Sequence, residues 1–212
     1  MSRPDFGADP FEDLYAGAGD DLGSLPWAEL APQPQLVAWL DEHRPAGGAT
    51  ALVVGCGYGD DAAALARRGW RTTGFDLAPT AIAHARRRFE GEGIELAVAD
   101  VYDLPSAWSR RFDLVVEIRT LQSLTPDRRR DAATAIAGTV APGGRVWLRC
   151  EARDDDAPVD RRPWPLSRRE LTAFTDAGLV EASFEDATGD RGRVFTAVYE
   201  RPAAAARAVG PR

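Results

Sequence analysis

Three glycines at alternate positions, Gly55, Gly57 and Gly59, follow directly on the apolar run from Ala51 to Val54. Two acids, Asp60 and Asp61, and an alanine-rich run come next. A buried strand, a tight loop and a helix start in that order bring backbone amides against a nucleotide-like ligand. Glycine serves in such a loop because a β-carbon would block positive φ angles and close approach of backbone to ligand. The position that would complete a dinucleotide fingerprint holds Asp60 instead of glycine. A carboxylate sits poorly against a pyrophosphate and is tolerable beside a cationic or neutral ligand. The loop therefore leans away from dinucleotides.

Further acids fall where strands are expected to end, and in an open parallel sheet ligands gather at those carboxyl ends. Asp76 lies 21 residues after Gly55 and is placed to accept both hydroxyls of a ribose. Asp100 could accept from an adenine amine while the Val101 amide donates to a ring nitrogen. Glu117 closes the next strand beside the glycine loop. Past it, Arg119 and Gln122 are positioned to orient an anionic or polar acceptor. Tyr15 and Trp27 would wall a pocket or donate to a substrate, and Trp164 reads as a lid residue or a clamp under its loop. The blander candidates are Cys56 as a small packed residue, His43 and His84 in structural or surface roles, and Arg128 to Arg130 as a solvated helix face. The run Asp154 to Asp156 reads as hydrated, so no metal site is expected.

The elements that must position these groups alternate regularly from Thr50. Strands are expected over 51–55, 71–75, 94–99, 112–117 and 145–151, the last fed by the turn Pro142-Gly143-Gly144. Helices fall between them at 60–68, from Pro79 to about Phe89, and at 127–141. That alternation implies a parallel sheet with helices on both faces. A helix over 167–177 begins with a capping box, Ser167 and Glu170. Strands at about 179–186 and 193–200, joined at Thr188-Gly189-Asp190, form a closing hairpin. An earlier helix covers 34–43. Residues 1–31 read as an arm that folds over the site, 32–201 as one domain, and 202–212 as a disordered tail.

The composition narrows the class. The chain has 212 residues, a net charge of -7 and no lysine among its basic residues, which argues against a nucleic-acid substrate and rules out a Schiff base. Two cysteines cannot make a disulfide framework. No apolar segment is long enough to span a membrane, and a cytoplasmic location is the expectation.

Taken together, VVGCGYG at 53–59, GFDLAPTAI at 74–82, VADVYDLP at 98–105, FDLVVE at 112–117 and APGGRVWL at 141–148 resemble the class I S-adenosylmethionine (SAM)-dependent methyltransferases. That resemblance implies a Rossmann-like α/β fold, with seven mostly parallel strands in the order 3-2-1-4-5-7-6 and the last strand antiparallel. It implies SAM as cofactor and S-adenosylhomocysteine as product, held by Trp27, Gly55, Cys56, Gly57, Gly59, Asp61, Asp76, Leu77, Asp100, Val101 and Glu117. Within the superfamily, Val53 stands where most members carry an acid. ALVVGCGYGDD and the Leu25-Pro26-Trp27 element are similar to the thiopurine and thiol or halide methyltransferase branch. The segment Ile118 to Gln122 departs from that branch, which bears on the substrate. The expectation is metal-independent methyl transfer to a small-molecule thiol, selenol, halide or thiopurine-like acceptor. The substrate pocket would contain Tyr15, Trp27, Arg119 and Trp164, in a monomer or homodimer. A natural-product O- or N-methyltransferase, a non-catalytic SAM-binding regulator and a nicotinamide oxidoreductase are the alternatives.

Overall fold

The computed structural model describes residues 10–159, 163–189 and 192–203. Its centre is the strand β1 (Thr50–Val54), whose residues 51–54 are all buried. A strand so apolar on both faces is stable only inside a sheet covered on both sides. It pairs in parallel with β2 (Arg71–Asp76) and β4 (Phe112–Ile118). Outward from these lie β3 (Glu95–Val98) on one side and β5 (Val140–Arg153) on the other. The hairpin strands β7 (Val180–Gly189) and β8 (Gly192–Glu200) close the sheet, with β8 antiparallel to both β5 and β7. The order is β3-β2-β1-β4-β5-β8-β7. This is the expected Rossmann-like arrangement with one addition, a two-residue strand β6 (Leu166–Ser167) that pairs in parallel with the end of β5.

Alternation along the strands sorts the core into two layers. Ala51 and Val53 of β1, with Leu114 and Val116 of β4 and Trp147 of β5, pack under α2 (Pro34–Glu42) and α3 (Asp60–Ala66). Leu52, Val54, Val115, Val146 and Leu148 face α5 (Arg129–Gly138) and α6 (Thr172–Asp176) instead. Phe112 lies on the same side as Val115, because the register slips between Phe112 and Leu114. Leu36 and Leu40 of α2 have no exposed surface, a burial that contributes roughly 1.5–3 kcal/mol for each side chain.

The arm supplies a third, smaller core. In it, Tyr15 of α1 (Pro10–Ala18) and Leu25 meet Tyr58, Ala78 and Ala81 at the start of α4 (Pro79–Arg88). Glu12 fastens the two helices together: its carboxylate accepts from the Thr80 amide at 3.0 Å and from the Thr80 hydroxyl at 2.5 Å. It thereby satisfies a first-turn amide of α4 that has no partner within the helix.

Two readings change. The Ser167–Glu170 capping box forms, with Ser167 N–H donating to Glu170 Oε2 (2.7 Å) and Glu170 N–H to Ser167 Oγ (3.3 Å). The α-helix that follows is nevertheless only Thr172–Asp176, because Ser167 is drawn into the β5–β6 ladder and the amides of residues 170–174 bond to carbonyls three residues back. Strand β5 begins at Val140, so Pro142-Gly143-Gly144 is an irregularity inside the strand and not a turn before it. Asp190 of the hairpin turn, residues 1–9 of the arm and residues 204–212 of the tail lie outside the described residues.

Candidate functional site

A cavity of about 600 Å³ opens at the carboxyl ends of β1, β2 and β4, roofed by the arm. The volume is ordinary for a site that takes small molecules. Its floor is the glycine loop, where Gly55, Gly57 and Gly59 all adopt left-handed φ angles. Each glycine has its own steric reason. A β-carbon on Gly55 would overlap Thr120 Oγ1, and one on Gly57 would lie 3.0 Å from the Tyr15 hydroxyl. Gly59 does not line the cavity; its α-carbon faces Ala85 and Phe89, so it lets α3 close on α4. The expectation of a ligand contact at Gly59 is replaced by a packing role.

Asp76 is held rigidly at the end of β2. Gly57 N–H donates to its Oδ2 at 2.9 Å and Ala78 N–H to its Oδ1 at 3.0 Å. Each carboxylate oxygen can accept more than one hydrogen bond, so the group retains capacity for a ligand hydroxyl. Leu77 beside it is half-exposed on the cavity wall. Across the cavity, Asp100 accepts from the Tyr102 amide at 2.9 Å, and Val101 lines the same wall. Asp61 accepts from the Gln33 amide at 2.7 Å, and burial pushes its carboxyl up to about 6. The charge of Asp60 is neutralised by a two-pronged pair with Arg88, at 2.6 and 2.7 Å.

Tyr15 hangs from the arm into this floor. Trp27 Nε1–H donates to its hydroxyl at 3.1 Å, while burial and then the nearby Asp76 raise the phenol far above its ordinary range, so it stays protonated. Burial likewise keeps the Cys56 thiol protonated, with Asp76 adding to the effect. Cys56 is a packing residue against Gly74 and no nucleophile.

The exit of β4 is less simple than the sequence suggests. Glu117, expected beside a ligand, has no exposed surface and is absent from the cavity wall. It lies on the α5 side of β4, accepting from the Leu121 amide at 2.9 Å and from the Thr120 amide, so it props the loop from behind. Burial raises its carboxyl to about 7. Arg119 does face the cavity, in a left-handed conformation (φ 62) and paired with Glu29 of the arm at 3.0 Å. Gln122 lines the cavity too, though buried. Trp164 does not line it: its N–H donates to the Gln122 carbonyl at 2.8 Å, its carbonyl accepts from Arg129 at 2.6 Å, and Pro163 takes the place on the wall. Both histidines lie off the wall, His43 stacked on Trp39 and His84 edge-on to Tyr58.

Comparison with known proteins narrows the readings to methyltransferases. The methyltransferase-domain family profile matches residues 51–144. A 2-heptyl-1-hydroxyquinolin-4(1H)-one methyltransferase of Mycobacteroides abscessus is 29% identical, over 77% of this chain and 73% of its own. The cypemycin N-terminal methyltransferase of a Streptomyces species is 31% identical over 69% of this chain, and the match spans 61% of that relative's length. The chain carries a class I SAM-dependent methyltransferase domain. A solved structure concerned with conversion of a disulfide bond into a thioacetal group during echinomycin biosynthesis superposes on this methyltransferase with a TM-score of 0.74 and 27% identity, covering 91% of this chain and 92% of the other. Among the described residues no helix is long and apolar enough to cross a membrane.

The cavity of the methyltransferase suits SAM on its charge. Among the described residues six lining side chains are carboxylic acids (Glu29, Asp60, Asp61, Asp76, Asp100 and Glu151), of which Asp60 is neutralised by Arg88, against the single lining guanidinium of Arg119. Such a wall favours a ligand carrying a sulfonium and an ammonium over one carrying phosphates. Sequence reasoning missed several wall residues, among them Glu29, Gln33 and Tyr102. Tyr102 had a signal, since it follows Asp100 and Val101 in the quoted VADVYDLP. Glu29 and Gln33 had none, because Glu29 meets Arg119 only through closure of the arm and Gln33 meets Asp61 only where the start of α2 packs on α3.

Proposed function

We propose that this methyltransferase methylates a flat, lipophilic heteroaromatic acceptor through an acidic heteroatom, with a ring thiol of the thiopurine type favoured. The observation that carries the reading is the uncharged share of the cavity lining. Phe11, Trp27, Leu30, Tyr102, Leu124 and Pro163 make it apolar and largely aromatic, a surface that takes up flat rings and excludes water. A halide would leave most of it unused. Bound SAM supplies an electrophilic methyl group on sulfur. The chain's own part is to hold and align: Asp76 takes the ribose hydroxyls, Asp100 and the Val101 amide take the adenine edge, and Leu77 packs on the ring. Arm residues 10–31 cover the pair, and Tyr15, kept protonated, donates from above. In-line alignment in a dry site accounts for most of the acceleration such a transfer needs.

The wall holds no histidine among the described residues, and burial pushes the Asp61 carboxyl on it up to about 6. A base that weak serves acceptors that ionise readily, such as heteroaromatic thiols. A second reading, O-methylation of an acidic ring hydroxyl, has its own support in the similarity to the hydroxyquinolone methyltransferase. Transfer of labelled methyl from SAM to a panel of thiopurines, N-hydroxy heterocycles, phenols, amines and iodide tests both. Product on the ring thiols is the expected outcome, and product on the hydroxyls alone selects the second reading. Product on amines or iodide alone, or none with SAM tightly bound, overturns the proposal.

A further inference from the structure

Gln122 is a tightly held polar side chain on the cavity wall. It is 2% exposed, yet it belongs to the cavity wall. Both of its acceptor groups are committed. The side-chain Oε1 accepts from the Glu151 amide at 2.7 Å, and the backbone carbonyl accepts from the Trp164 amide at 2.8 Å. The first contact also fixes which side-chain atom is oxygen, because a backbone N–H can only donate. The remaining group, the Nε2 amide, has two protons to donate and no hydrogen-bond partner among the described residues. An amide donor fixed in a buried side chain at the edge of a cavity lacks only the acceptor that a ligand would bring.

The surroundings say what that acceptor is. Among the described residues the one guanidinium on the wall, Arg119, is paired with Glu29 at 3.0 Å, and Glu151 adds a carboxylate to the same wall. Among the described residues this end of the cavity therefore offers a neutral donor with no spare positive charge. A carboxylate or phosphate would meet repulsion here, whereas a carbonyl oxygen or an unprotonated ring nitrogen would meet a matched partner.

We propose that Gln122 Nε2 is the specificity-determining donor for an uncharged carbonyl oxygen or ring nitrogen on the acceptor, so that the preferred acceptors are oxo-heterocycles and not plain aromatic rings or anions. The proposal rests on the small-molecule, heteroaromatic reading above and names the polar group which that ring must carry. Gln122 is a positioning residue in this scheme, since it takes no part in bond making.

The test measures binding to the S-adenosylhomocysteine-loaded protein, so that it stands whether or not a given probe is turned over. Matched pairs of bicyclic heterocycles, each with and without a ring carbonyl, are titrated by quenching of tryptophan fluorescence and by calorimetry. The carbonyl-bearing member is expected to bind about tenfold or more tightly. Gln122→Glu keeps the oxygen that receives the Glu151 amide and removes the donor. It should erase the preference within each pair while leaving S-adenosylhomocysteine affinity within about twofold. Gln122→Met provides a second donor-free variant without a buried charge, and should erase the preference in the same way. Equal affinities within the pairs for the wild-type protein, absence of binding included, would overturn the proposal. So would a preference that survives in a folded donor-free variant. Failure of the heteroaromatic reading looks different: methyl transfer in the panel assay would then appear on amines or iodide alone, or on no acceptor.

Discussion

Glu117→Gln separates the two roles that the exit of β4 can have. In the wild-type protein, burial raises this carboxyl from 4.5 to about 7. Below pH 4.5 the group is protonated in both folded and unfolded chains. Between 4.5 and 7 the unfolded chain releases the proton and the folded one keeps it, so stability falls as pH rises. Above 7 both forms are ionised and the loss is complete. At about 1.4 kcal/mol per pKa unit the total is about 3 kcal/mol. Glutamine is the isostere of the protonated acid, and its Oε1 can still accept from the Leu121 and Thr120 amides. The variant should match the wild type at pH 4 and exceed its stability by about 3 kcal/mol at pH 8. Urea unfolding across that range, analysed by linear extrapolation with m checked for constancy, gives the difference curve. Asp61, also raised by burial, tilts both proteins alike and cancels in the difference. SAM affinity should stay within about twofold, because the side chain has no exposed surface. A flat difference curve, or one rising toward acid, would refute the argument; a large loss of SAM affinity would restore Glu117 to the cofactor site.

Asp76→Ala should weaken SAM by about 1–3 kcal/mol, roughly 5- to 150-fold in Kd by calorimetry; an unchanged Kd would mean the nucleoside lies elsewhere. Gly55→Ala adds a β-carbon onto Thr120 Oγ1 in a left-handed backbone and should cost about 3 kcal/mol or more in urea unfolding. Adding Thr120→Ala to it should recover part of that, leaving about 1–2 kcal/mol of backbone strain. No recovery would place the clash elsewhere. Arg129→Met removes the cation that joins Glu170 at 2.6 Å and the Trp164 carbonyl at 2.6 Å. It should destabilise by about 3–5 kcal/mol, with Glu170→Gln in the same chain restoring part of it; a change under 1 kcal/mol in thermal unfolding would show that Arg153 alone holds the cluster.

How much of this was legible in the sequence follows the range over which each feature is determined. Strand β1 and its loop are local: a doubly buried apolar run, three glycines and a helix start are adjacent in the chain, and the fold reproduces them to within two residues at each boundary. The sheet order came with the resemblance, and the hairpin that completes it is equally local. Strand β6 escaped notice because a two-residue ladder has no periodicity to read. The acids divide by the same logic. Asp76 and Asp100 lie in or just beyond strands that end at the cavity, so their placement follows from the strand ends. Glu117 instead shares the α5 side of β4 with Val115, and that face leads behind the loop and away from the ligand. Asp60 was read against the ligand alone because Arg88, its partner, lies 28 residues away. Gln122 shows the limit most clearly. Its type and position suggested an orienting group, but what it offers a ligand depends on which of its atoms are already engaged. Those partners are the Glu151 and Trp164 amides, 29 and 42 residues downstream, and only their arrival turns a two-sided amide into a one-sided donor. The chemistry of the acceptor end is therefore a property of three converging segments and is written in none of them alone.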